Sequence, residues 1–178
     1  MSRKFLLTTV IFCLIPGFIF AQNLTFRDAD WGMSKAEVKE TEGQKLLQEK
    51  PGTLYYTDTF QGYQMYVVYK FQQEKDQLME GQYILQEDLP GPEQYIQAFQ
   101  DVETALTEQL GEAKIDTTLF QSKEYMGNSG KYPEALSEGD IRFQTMWENE
   151  NSKVISQLWN GQKIRLAVQY VSKEFQEK

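Results

Sequence analysis

The sequence predicts an α+β fold of two pseudo-repeated units, each a helix followed by an antiparallel β-meander, packed as one domain. Three observations carry that expectation. Helix-start signals gather around Ser34, apolar residues recur at helical spacing over 92–110, and each stretch is followed by alternation. Short turn signals at Gln61-Gly62, Glu74-Lys75-Asp76 and Asn160-Gly161 separate neighbouring alternating runs, which makes adjacent strands antiparallel. Tyr, Phe and Trp form 13% of the chain, too much apolar material for a disordered one.

The elements follow in chain order. Met1-Ser2-Arg3-Lys4 is a short basic start, and Phe5 to Phe20 is an apolar run broken by Thr8, Thr9, Pro16 and Gly17. Ala21 is a small residue before Gln22, so residues 1–21 read as a cleavable secretory signal. The competing reading is a retained anchor. A spanning helix needs about 20 apolar residues, and this run is shorter and carries the Pro16-Gly17 break. Lipidation at Cys13, the one cysteine, is opposed by the bulky Phe12 before it. The mature chain is therefore expected to lack cysteine, disulfides and thiol chemistry. Residues 22–178 remain as a single domain, with halves at about 22–88 and 89–172. Asn23-Leu24-Thr25 matches a glycosylation acceptor.

After an extended lead-in through Phe26, Ser34 and Glu37 form a capping box, with Met33 and Val38 as a hydrophobic staple. Gly43 ends this helix or lets it restart through Leu46 and Leu47, and Pro51-Gly52 breaks it. Strands are expected over 53–60, over 63–71 (where Tyr63, Met65, Val67, Tyr69 and Phe71 alternate with Gln64, Tyr66, Val68 and Lys70), and over 78–86. Pro92 opens the longest helix and Gly111 ends it. A short strand at 115–120 precedes an irregular stretch at 121–139. Alternation then returns from Ile141 to Trp147, through Val154 and Leu158, and from Ile164 to Tyr170. Asn160-Gly161 is the strongest hairpin signal and reads as a type I′ turn.

Composition excludes several function classes. Removing Arg3 and Lys4 from the 18 basic residues leaves 16 against 26 acids, a net charge of −10. That balance opposes binding to nucleic acid and to anionic lipid. The chain contains no His, the commonest general base and metal ligand. No cofactor motif is present, and no segment after the signal is long enough to span a membrane.

Phe26-Arg27-Asp28-Ala29-Asp30-Trp31-Gly32-Met33-Ser34-Lys35-Ala36-Glu37-Val38 resembles the helix start of a broad group of exported bacterial proteins. More distantly, Gly32-Met33-Ser34 with Val38, followed by a three-strand meander, is similar to the SmpA/OmlA group and to the β-lactamase-inhibitor-like fold. The resemblance covers about a dozen residues. It implies a non-enzymatic role in the envelope: assembly of outer-membrane proteins, or binding and inhibition of another protein.

Few constellations carry chemistry. Asp28 and Asp30 point the same way but lack the ligand number of a calcium site. Glu148, Asn149, Glu150 and Asn151 form a polar turn. Ser129 has no His to activate it, although Lys131 lies close in sequence. Carboxylate pairs suited to glycoside hydrolysis are numerous among 26 acids, and nothing singles one out. The aromatic residues Tyr55, Tyr56 and Tyr66, with Trp31, are the candidate binding residues, because aromatics on a solvated strand face suit flat ligands or protein partners; cross-strand pairing among the tyrosines is the alternative. The expectation is a non-catalytic exported protein, periplasmic or secreted, that binds a protein or small ligand. The alternatives are a carboxylate-dependent hydrolase acting on polysaccharide and an envelope assembly or structural partner. No catalytic, metal or cofactor residue is expected.

Overall fold

The Ser34 hydroxyl accepts from the Glu37 N–H at 3.3 Å, and the Glu37 carboxylate accepts from the Ser34 N–H at 2.8 Å. This closed capping box starts α1 (Lys35–Thr41). The structure, a computed structural model, describes residues 25–175. The expected signal peptide and the glycosylation acceptor Asn23 lie outside them. Strands β1 (Gln48–Lys50), β2 (Thr53–Phe60), β3 (Tyr63–Gln72) and β4 (Gln77–Leu85) follow α1. Then come α2 (Pro92–Leu110), β5 (Ile115–Phe120), α3 (Tyr132–Glu138), β6 (Ile141–Glu148), β7 (Ser152–Asn160) and β8 (Ile164–Ser172).

These strands form one antiparallel eight-stranded sheet in the order β1-β2-β3-β4-β8-β7-β6-β5. The expected α+β pair of helix-plus-meander units is corrected here: the protein is mainly β, and its helices are not partners to separate meanders. β4 and β8 pair directly, from Glu80↔Val171 to Ile84↔Ala167. The physical reason is the edge problem. A four-stranded meander alone would leave its last strand unpaired and its apolar face half-covered, and joining the two removes both defects. Helix α1 buries only Val38. Helix α2 instead lies over β7 and β8, near the middle of the joined sheet, and packs against α3.

Local readings also change. The stretch after Gly43 does not restart a helix. It becomes β1, led in by the Leu47 N–H on the Tyr55 carbonyl at 2.9 Å. The irregular stretch at 121–139 contains α3, whose end is closed by the Gly139 N–H on the Ala135 and Leu136 carbonyls. The two-residue turn with positive φ is at Gln61 (52°) and Gly62 (83°), between paired Phe60 and Tyr63. Asn160 instead pairs with Ile164 and closes a longer loop.

The core lies on one face. Its centre in the first half is Phe26, fully buried, with ring centroids 5.0, 5.1 and 5.2 Å from those of Tyr69, Tyr83 and Tyr170. The ring occupies the space a side chain would fill at Gly81: a Cβ there would lie 2.0 Å from Phe26. Arg27 follows in a left-handed conformation (φ 58°), which costs a non-glycine residue backbone energy. Its guanidinium grips Glu42 through Nε and Nη2, each at 3.0 Å, and Asp58 through Nη1 at 2.8 Å. The Tyr69 hydroxyl donates to Glu42 at 2.6 Å. Burial works against the Arg27 charge, but Tyr83, Asp58 and Glu42 outweigh it and hold the group firmly protonated. Burial, then the Glu42 hydrogen bond, keeps Tyr69 neutral far above its ordinary range.

Candidate binding face

An antiparallel sheet puts paired residues on the same side, so its register writes out complete rows. On the face away from the core, one row runs Tyr55, Val68, Gln82, Gln169, Ile155, Met146, Ile115. The next runs Thr57, Tyr66, Ile84, Ala167, Gln157, Gln144, Thr117. Neither row holds a charged side chain, in a chain where 25% of residues are charged. Together they form an uncharged band from β2 to β5.

Charge returns on both flanks. On one side the row is Thr53, Lys70, Glu80, Val171, Lys153 and Glu148, with Lys70 and Glu80 paired at 2.7 Å. On the other, Thr59 and Gln64 carry no charge, and charge returns at the far half, where Trp159 stands between Arg165 and Arg142. Lys173, and after it Lys114, hold the Glu148 carboxyl down at about 2. An uncharged, aromatic-bearing centre inside a charged rim is the anatomy of a protein interface.

No described helix covers this face. α2 and α3 bury their apolar side chains in the core cluster on the other side, as do Phe26 and Val38. Val68, only 2% exposed, lies outside that cluster and is shielded within the open face. Its neighbours are half-buried against one another. The Gln157 amide donates to Gln144 at 2.7 Å, tying two strands within the band.

The four sequence candidates do not come together. Tyr55 and Tyr66 lie on the open face in adjacent rows, and Lys50 Nζ stands 5.0 Å above the Tyr55 ring. Tyr56 is buried in the core, because adjacent strand residues point to opposite faces. Its hydroxyl has no partner among the described residues, and burial raises its pKa. Trp31 packs against the core side and donates its indole N–H to Ser152 at 2.7 Å. It lines a small pocket of about 210 Å³ with Asp30, Asn151, Ser172 and Phe175.

Sequence reading missed Ile84, Met146, Ile155, Trp159 and the glutamines. Their signal was present: the outward phase of each strand carries Gln, Thr and apolar residues where Lys and Glu would be ordinary. The remaining constellations are structural in placement. Asp28 and Asp30 are exposed, and among the described residues no group of three or more His, Cys, Asp or Glu side chains is arranged to hold a metal. The Asn149 side chain accepts from the Asn151 and Ser152 N–H groups at 2.9 and 2.8 Å and shapes the β6–β7 turn. Ser129 and Lys131 stand exposed on one helical turn. Among the described residues no helix is long and apolar enough to cross a membrane. No family model, curated protein or solved structure matches this chain.

Proposed function

We propose that this chain is a non-catalytic exported binding protein that holds a protein partner against its uncovered sheet face. The observation that carries the reading is the uncharged band. A solvated strand face normally takes charged residues, and a wide flat band suits a protein partner better than a small ligand, which needs a concave pocket. The more deeply placed carboxylates support the non-catalytic side of the reading. Glu42 is held by Arg27 and Tyr69, and Glu103 accepts from Thr145 at 2.6 Å.

The test is site-specific photocrosslinking in the cell of origin, with the crosslinker at Tyr66, Ile155 or, on the helical side, the exposed Glu93. Adducts with one protein from Tyr66 and Ile155, absent from Glu93 and lost on Ile84→Lys, support the reading. Equal yields from all three positions, or none, refute it. Export is checked separately by N-terminal sequencing of the product, expected to begin at Gln22; an intact Met1 overturns it.

A further inference from the structure

The two edges of the sheet are finished differently. Edge strand β1 is three exposed residues, Gln48-Glu49-Lys50, the short charged kind that resists pairing. Edge strand β5 is twice that length, Ile115-Asp116-Thr117-Thr118-Leu119-Phe120, with no proline, glycine or lysine. Among the described residues it pairs only with β6. The Gln121 N–H donates to the Asp140 carbonyl at 2.7 Å. By the alternation of an antiparallel ladder, odd residues of β5 then bond toward β6. The N–H and C=O groups of Asp116, Thr118 and Phe120 therefore face outward.

Side chains along this edge divide by face. On the open face Ile115 is 41% and Leu119 48% exposed, two large apolar groups with Thr117 between them. On the helical face an open groove of about 540 Å³ lies between α2 and β5, and Glu103, Glu108, Glu112 and Asp116 line it with no basic residue. Burial pushes the Glu103 carboxyl above its ordinary range against the hydrogen bond from Thr145, and Asp116 adds a smaller push the same way.

A second copy of the chain is a poor occupant. Two-fold antiparallel pairing of β5 with itself must set a residue opposite its twin, since otherwise open-face residues would meet core-face ones. Centring on Asp116 opposes two carboxylates. Centring on Thr117 or on Thr118 avoids that opposition, but the two-fold then sets both acidic grooves on one face of the joined sheet, on adjoining edge strands. Charge selects a cationic strand instead.

We propose that the free edge of β5 accepts an extended basic segment of a partner protein as an added strand. Its apolar side chains lie over Ile115 and Leu119, and its alternating Lys or Arg side chains lie over Glu103, Glu108, Glu112 and Asp116. This is strand addition, in which main-chain bonds give affinity and alternate side chains give specificity. It does not depend on the uncharged band binding anything.

The test uses the chain from Gln22 onward and a synthetic peptide alternating Lys with Val, with a Glu-for-Lys peptide as control. The Lys peptide is expected to bind at low salt, to weaken as salt rises, and to slow hydrogen exchange at Asp116, Thr118 and Phe120. Thr118→Pro removes an outward donor and leaves the β6 ladder intact, and it should weaken binding about tenfold or more. Glu112→Lys, which leaves the strand alone, should weaken it similarly. Glu40→Lys, the same charge change on the exposed side of α1, should leave it unchanged. Equal binding of the Glu peptide, protection elsewhere, insensitivity to Thr118→Pro and Glu112→Lys, or self-association abolished by Thr118→Pro would each overturn the proposal.

Discussion

The packing of Phe26 over Gly81 gives the sharpest quantitative expectation. Phe26→Ala removes a fully buried ring flanked by three aromatic neighbours, and changes of that kind cost about 3–5 kcal/mol. Gly81→Ala adds a Cβ 2.0 Å from the Phe26 ring. Neither the strand nor the ring can move freely, so the cost falls near the top of the overpacking range, about 3 kcal/mol. In the Phe26→Ala background the clash disappears, and Ala in a strand should recover roughly 0.5–1 kcal/mol over Gly. The double variant is thus more stable than Phe26→Ala alone, with a coupling of about 3–4 kcal/mol, large even for touching residues. Urea unfolding of the four proteins, followed by far-UV circular dichroism and tryptophan fluorescence, measures it. Strictly additive effects, or a neutral Gly81→Ala, would refute this placement of the ring.

The ion pairs carry two further expectations. Glu42→Ala leaves Arg27 with Asp58 and the Tyr83 hydroxyl. It should lower the urea midpoint by the equivalent of about 2–3 kcal/mol, less than for a fully buried pair, because the Arg27 side chain is 20% exposed. A change below about 0.5 kcal/mol would mark the cluster as dispensable. Glu148 is held down from 4.5 to about 2, first by Lys173 and then by Lys114. A lowered folded-state pKa contributes stability above the ordinary carboxylate range, and this is lost as pH falls through about 2. Melting temperatures between pH 6 and pH 2 should therefore fall less steeply for Lys173→Met than for the natural chain; parallel curves would deny the pairing.

Local rules and non-local pairing differ in how far a sequence reveals them. Residues 53–60, 63–71 and 115–120 could be read as strands because alternation is a property of neighbours in the chain. The capping box at Ser34 and Glu37 was equally readable. The β4–β8 pairing joins segments about ninety residues apart, and no period within either segment encodes it; two meanders in sequence look alike whether they form two units or one sheet. Helix α3 hid inside a stretch punctuated by Gly and Ser because its seven residues hold too few turns to show a period. The split between Tyr55 and Tyr56 was legible, since consecutive strand residues cannot share a face. Trp31 belongs to the core side through long-range contacts with Ser152, which sequence spacing does not disclose.

The uncharged band is not a by-product of strand composition. The flanking rows on the same strands accept Lys70, Glu80, Lys153, Arg142 and Arg165, so the backbone and exposure at these positions tolerate charge. Glutamine at positions 82, 144, 157 and 169 keeps the centre wettable without the desolvation cost that a partner would meet in covering ions. The same economy fails at β5, where the band ends in Ile115 and Thr117 on a strand with outward main-chain groups and acids on its far side. Solubility alone would favour lysine at both places, as at Lys50 on the opposite edge. Two departures from that expectation, meeting on one strand, favour a partner whose own strand extends the rows of this sheet.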